Sequence, residues 1–183
     1  MYPIKIDKLF DEYRDFFNTS LMSLWAVCQE PFLTWVERQQ PNIMSLESSI
    51  GLPSAIHIQP VVNQIRRSNL PNDLKGPLHT ELIRKYCSLF CITVFEILKE
   101  DSRYQQVSEQ PVIQFLRHIR NGCAHNNKFY LKHGEPRYPA KFRSKTIEKS
   151  LQGREVLFSY LSPGDIPYLL EDVSKVLSVV TNH

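Results

Sequence analysis

The sequence predicts a mainly α-helical protein, a helical bundle of four to five helices with a small C-terminal β-hairpin before the last helix. Three observations predict it. Apolar residues recur at three- and four-residue spacing over several long segments. Proline, glycine and asparagine punctuate the chain between those segments. After Tyr130 one stretch changes character and becomes rich in β-branched and aromatic residues around a turn.

At 183 residues and 42% hydrophobic, the chain is long enough for one buried core and short for two. A single domain over 1–183 is expected, with an N-terminal helical part over 1–75 and a second part over 76–183. From Ile6 the apolar residues fall at Leu9, Phe10, Tyr13, Phe16, Phe17, Leu21, Leu24, Trp25 and Cys28, the pattern of a long helix buried along one face with its aromatics in the core. Pro31 lacks an amide donor and should break or kink that helix, a shorter one continuing through Trp35 to Arg38. Residues 40–77 hold Pro41, Pro53, Pro60, Pro71 and Pro77. So long a structureless connection is unusual, and a short helix is expected from Pro60 through Val61, Val62 and Ile65, ended by Asn69 and Pro71.

Leu82, Ile83, Tyr86, Leu89, Phe90, Val94 and Ile97 trace a core helix over 78–99, with Pro77 suited to its first turn. Another begins near Pro111 and carries Val112, Phe115, Leu116, Ile119 and Cys123 on one face. Lys141–Ile147 and Glu155–Tyr160 then predict a basic hairpin around Gln152-Gly153. Ser162-Pro163-Gly164-Asp165 supplies turn and cap chemistry before a last helix bearing Leu169, Leu170, Val173, Val176, Leu177 and Val180. No repeat or low-complexity tract interrupts this order.

No segment reaches the roughly 18 apolar residues that a membrane span requires, and Met1–Ile6 has no basic stretch leading into an apolar run. A cytoplasmic protein without a membrane partner is expected. The four cysteines, Cys28, Cys87, Cys91 and Cys123, read as reduced core thiols; Cys87 and Cys91 stand four apart, but two further zinc ligands are not found at sensible spacing. Neither a metal nor a cofactor is expected. The net charge of +3 hides an asymmetry: Lys128–Lys149 holds seven basic and two acidic residues, leaving 15 basic against 17 acidic elsewhere. A local excess of this kind attracts polyanions, and it also fits a solvated loop.

The helix from Pro111 ends in Arg120-Asn121-Gly122-Cys123-Ala124-His125. Histidine moves protons near neutral pH, its unperturbed pKa being about 6.5. A planar arginine grips a phosphate in two places. This Arg-Asn, three residues, then His pattern resembles the signature of the HEPN superfamily, over about the last 110 residues of the chain. The resemblance implies a metal-independent endoribonuclease of toxin, defence or stress-response type, acting on RNA and partnered by an antitoxin or regulatory protein. Catalysis then falls to Arg120, Asn121 and His125, with Glu96 on the preceding helix as a supporting residue. Arg117, His118, Lys128, Tyr130, Lys132, Lys141, Arg143 and Lys145 are candidate RNA-binding residues, Tyr130 or Phe129 stacking on a base.

Helix geometry sets the two main residues apart. Five residues of ideal helix rotate about 500°, so Arg120 and His125 point about 140° apart. Either the helix unwinds at Gly122, or two copies of the motif meet in a homodimer cleft, as the resemblance implies. The alternatives are a non-catalytic HEPN-like module that binds nucleotide or protein and dimerises, and a helix simply ended by Gly122 with His125 in solvent.

Overall fold

A computed structural model describes residues 8–39, 43–46, 54–67, 77–132 and 135–180. The fold is mainly helical, with a small antiparallel hairpin before the final helix. In chain order the elements are α1 (Lys8–Ala26), α2 (Glu30–Glu37), β1 (Ile43–Leu46), β2 (Ser54–His57), α3 (Ile58–Arg67), α4 (Pro77–Glu100), α5 (Tyr104–Val107), α6 (Pro111–Ala124), β3 (Lys141–Phe142), β4 (Lys145–Thr146) and α7 (Ile166–Ser178). Contacts divide the chain into two compact units, residues 19–83 and residues 1–18 with 84–183, so that α1 and α4 each contribute to both. No helix among the described residues is long and apolar enough to cross a membrane.

In the unit of residues 19–83, α1 stops at Ala26 and α2 starts at Glu30 with Pro31 in its first turn, where a missing amide donor costs nothing. Glu30 and Glu37 of α2 both accept hydrogen bonds from the guanidinium of Arg66 on α3, at 2.5 and 2.6 Å. Those bonds hold both carboxyls below their ordinary range. The two helices, with Val27, line an open apolar pocket of about 450 Å³. Leu33 and Val62 are buried beside it, but Trp25 and Trp35 are 45% and 56% exposed, so not every aromatic of this region lies in the core as its spacing predicts. The hairpin β1–β2, with Ile43 opposite His57 and Leu46 opposite Ser54, was not anticipated. The helix signals at Asn69 and Pro71 lie outside the described residues.

The larger unit carries the motif. Phe17 of α1 packs on Phe90 of α4, ring centroids 4.7 Å apart, whereas Phe16 and Leu89, placed on buried stripes by their spacing, are exposed. After α4, the Asp101 carboxylate accepts the Arg103 backbone N–H at 2.9 Å and its guanidinium at 2.6 Å, turning the chain into the single helical turn α5. Helix α6 begins after the extended Gln110, again with proline in its first turn, and buries Ile113, Phe115, Leu116, Ile119 and Cys123. It packs against β3 and α7. A ring cluster ties α6 to residues later in the chain: Phe115 lies 5.4 Å from Phe142 and 6.1 Å from Tyr160, and Phe129 meets Tyr160 edge-on at 5.1 Å.

The hairpin differs from its expected pairing. Lys141 pairs with Thr146 and Phe142 with Lys145 across a tight turn, with Arg143 in the left-handed region at φ 52°. Residues 155–160 do not pair with that strand; Glu155 bridges Lys128, and Leu157 bridges Leu161. The observed pairing has a local cause. Arg143-Ser144 closes the hairpin within six residues, which frees the later segment to pack against the end of α6. Ser162 and Asp165 then form a reciprocal capping box, the Asp165 carboxylate accepting the Ser162 N–H at 2.9 Å, and α7 comes next.

Candidate functional site

Arg120, Asn121 and His125 lie at the C-terminal end of α6, and the helix does not unwind at Gly122. It continues through Ala124, and the His125 N–H still donates to Asn121 O (3.0 Å) and Gly122 O (3.1 Å). His125 is the cap, at φ −105° and ψ 51°; Asn126 and Asn127 come after it in the left-handed conformation at φ 56° and 60°. Asparagine is among the few residues with a side chain that enters this region at little cost. The glycine is therefore not a helix terminator. A β-carbon at Gly122 would lie 2.3 Å from Val156 Cγ2 and 3.2 Å from Lys128 O, so its small size lets residues 128 and 156 close onto the helix.

Arg120 turns toward α4. Its Nη2 donates to Glu96 Oε1 and its Nη1 donates to Asn121 Oδ1 at 3.2 Å, while Nε is buried without a partner among the described residues. Glu96 also accepts from Lys99 Nζ at 2.7 Å. The Lys99 ammonium, with Arg120 beside it, holds the Glu96 carboxyl below its ordinary range. Glu96, expected as a supporting residue on the preceding helix, thus touches Arg120.

His125 is exposed and turns toward the loop after the helix, where its ring lies tilted against that of Tyr130, with centroids 4.1 Å apart and planes 30° from parallel. No contact joins the Arg120 and His125 side chains among the described residues. The loop between them and Val156 is pinned by Asn127, which is 6% exposed: its Oδ1 accepts the Leu157 N–H at 2.7 Å, its Nδ2 donates to Leu157 O at 3.2 Å, and its carbonyl accepts the Val156 N–H at 2.9 Å. Asn127 was not among the residues anticipated from sequence. The Asn126-Asn127 pair after a helix was its visible signal.

The candidate RNA-binding residues separate into three groups. His118 is 1% exposed with neither ring nitrogen hydrogen-bonded among the described residues, so it is not part of a phosphate-facing surface; α6 is buried on that side too. Burial, with the adjacent Arg117 charge, holds its pKa below the ordinary 6.5 against the pull of Glu135. Phe129 is likewise fully buried and cannot stack on a base. A second group is committed internally. Arg117 donates to the buried Glu135 at 2.5 Å, Arg143 to Asp172 at 3.0 Å, and Lys145 to Tyr160 O at 2.8 Å. Burial raises the Glu135 carboxyl, but the Lys132 N–H, Arg117 and His118 outweigh it and leave the pKa lowered. Lys128, Tyr130, Lys132 and Lys141 remain accessible to solvent.

Cys123 of the motif faces Cys91 of α4, both buried. The hydrogen bond with Cys123, together with burial, pushes the Cys91 thiol well up, and burial pushes Cys87 up to about 12. Thiols pushed up in this way, Cys87 and Cys91, are poor nucleophiles, whereas the hydrogen bond with Cys91 holds the Cys123 thiol below its ordinary value against burial. Among the described residues no group of three or more His, Cys, Asp and Glu could hold a metal ion.

Fold and site together define a mainly helical protein with an Arg-Asn-x-x-x-His helix end, its arginine anchored to the preceding helix. Compared with protein-family models, curated protein sequences and solved structures, the chain matches none.

Proposed function

We propose that this protein is a metal-independent endoribonuclease of HEPN type, working as a homodimer with the motif at the dimer cleft. The observation that carries the reading is a guanidinium held by Glu96 and Asn121 on the same helix end that presents an exposed, ring-stacked histidine. In this reading His125 takes the proton of a ribose 2′-hydroxyl or returns one to the leaving 5′-oxygen. The 2′-oxygen attacks phosphorus, the bond to the 5′-oxygen breaks, and the products are a 2′,3′-cyclic phosphate and a 5′-hydroxyl. Arg120 stabilises the charge that grows on the non-bridging oxygens. DNA, lacking the 2′-hydroxyl, is not cut by this route. The toxin, defence or stress-response role and an antitoxin or regulatory partner belong to the same proposal.

Two facts favour a composite site. Arg120 faces α4 and His125 faces the loop, and the helix between them stays wound. Purified protein in EDTA is expected to cleave single-stranded RNA to cyclic-phosphate ends, and His125→Ala and Arg120→Ala to abolish this. Mixing the two inactive variants is expected to restore cleavage, because a mixed dimer regains one intact Arg120–His125 pair. Cleavage that persists in His125→Ala overturns the catalytic assignment, and mixtures that stay inactive overturn the shared cleft. The second reading, a non-catalytic module binding nucleotide or protein, draws on the Glu96 contact, since a phosphate must displace or share that carboxylate. Binding without turnover in the wild type decides for it.

A further inference from the structure

We propose that Tyr130 is the residue that fixes the orientation of the His125 imidazole, a positioning role in place of the base-stacking one its exposure suggests. The consequence for catalysis rests on the ribonuclease reading; the orientation itself does not. His125 is exposed, its backbone has left the helix, and no hydrogen bond reaches either ring nitrogen among the described residues. Torsion about the bond to such a ring is broad, so without another contact an imidazole here samples many orientations. The contact present is the Tyr130 ring, 4.1 Å away and 30° from parallel.

A stack orients its partner only if it is itself held, and Tyr130 is held on both sides. The Phe129 N–H donates to Arg154 O at 2.8 Å, and Phe129 O accepts the Gly153 N–H at 2.9 Å. On the other side the Leu131 N–H donates to Gln152 Oε1 at 2.7 Å. Phe129 is fully buried, edge-on to Tyr160, which anchors this segment from beneath. The turn that supplies these partners places Gly153 at φ 77°, where a side chain is strained. One face of the phenol ring is therefore occupied by His125 and is not free for a nucleobase. The Tyr130 hydroxyl makes no hydrogen bond among the described residues, so the ring, not the oxygen, does the positioning.

The test combines a spectroscopic and a kinetic readout on Tyr130→Ala and Tyr130→Phe. In wild-type protein the His125 ring protons are expected upfield of an unstacked histidine, shifted by the phenol ring current. Tyr130→Phe is expected to keep that shift and Tyr130→Ala to lose it. On RNA, Tyr130→Ala is expected to lower kcat by on the order of tenfold to a hundredfold with KM essentially unchanged, since a misplaced reacting group costs rate and not binding; Tyr130→Phe should retain wild-type rates. Unshifted His125 protons in the wild type overturn the proposal, and so does a Tyr130→Ala variant that raises KM while keeping kcat. Shifted His125 protons in a wild-type protein that cleaves no RNA leave the positioning standing and remove the ribonuclease reading instead.

Discussion

Substituting Gly122 by alanine pits two effects of known sign against each other. Inside a helix alanine is favoured over glycine by about 1 kcal/mol, and Gly122 is inside α6. Its new β-carbon, however, would sit 2.3 Å from Val156 Cγ2 and 3.2 Å from Lys128 O. Ordinary carbon contacts lie near 3.5–4.0 Å, so the Val156 methyl must retreat by about 1 Å or more. Val156 is fully buried, branched at Cβ, and held by its N–H to Asn127 O. Overpacking of this kind costs about 1–3 kcal/mol, which exceeds the helix gain, and Gly122→Ala is expected to destabilise the larger unit by up to about 2 kcal/mol. The discriminating variant is Val156→Ala. It removes the obstructing methyl groups, and in that background the same Gly122→Ala change should turn stabilising, approaching about 1 kcal/mol of helix preference. Urea unfolding followed by far-UV circular dichroism measures both changes; tryptophan fluorescence does not suit, because Trp25 and Trp35 belong to the other unit. A Gly122→Ala protein more stable than wild type, or an identical effect in both backgrounds, refutes the close-packing account of this glycine.

Asn127→Ala is expected to cost roughly 2–4 kcal/mol, from the Leu157 amide left unbonded and from alanine at φ 60°. Asn127→Gly should recover about 1 kcal/mol of that by relieving the backbone alone, and equal unfolding midpoints for the two variants would exclude the strain contribution. His118 is buried with a lowered pKa, so below its ordinary 6.5 the unfolded chain binds a proton that the native state does not, and stability falls as pH drops from 6.5 toward the folded value. The slope is at most about 1.4 kcal/mol per pH unit, and it should vanish in His118→Gln; urea midpoints that do not fall over this window in the wild type count against it. Glu96→Ala removes a half-exposed pair and is expected to change stability by less than about 1 kcal/mol; under the proposed ribonuclease reading it also lowers RNA cleavage on the order of tenfold to a hundredfold by freeing Arg120. A Glu96→Ala protein with wild-type kcat rules out the anchoring role.

Long periodic segments were legible because a three- and four-residue apolar spacing matches the repeat of a helix. Helix α4, α6 and α7 fall within a few residues of their expected limits, and Pro77 and Pro111 mark helix starts as anticipated, whereas Pro31, expected to break or kink α1, opens α2. The expectations that failed share a physical cause, which is dependence on partners distant in sequence. The exposure of Phe16, Trp25, Trp35 and Leu89 is set by which faces receive a neighbour, and their own spacing carries no record of that. The hairpin was expected from the composition of two segments, but its pairing was decided by Arg143-Ser144 closing a turn nearer at hand. Likewise His118 carries the same side chain whether it faces solvent or core, and only the packing around α6 distinguishes the two.

The same division runs through the candidate site. Arg120, Asn121 and His125 were readable because their chemistry is in the side chains themselves, but each is oriented from a different direction. Arg120 is held from upstream by Glu96, 24 residues earlier, and His125 from downstream by Tyr130, itself fixed by residues 152–154. Gly122 stands between them, at the point where Lys128 and Val156 close on the helix. A motif of six residues is thus supported from two directions, and Asn121 belongs to both, its side chain accepting from Arg120 and its carbonyl accepting the His125 N–H. Overpacking the helical turn at Gly122 should disturb His125 more than Arg120, because Glu96, the carboxylate that holds the guanidinium, lies on α4. Gly122→Ala is therefore expected to alter the His125 ring-proton shifts more than the Arg120 side-chain signals. Equal displacement of both would mean that the two ends of the motif move as one body.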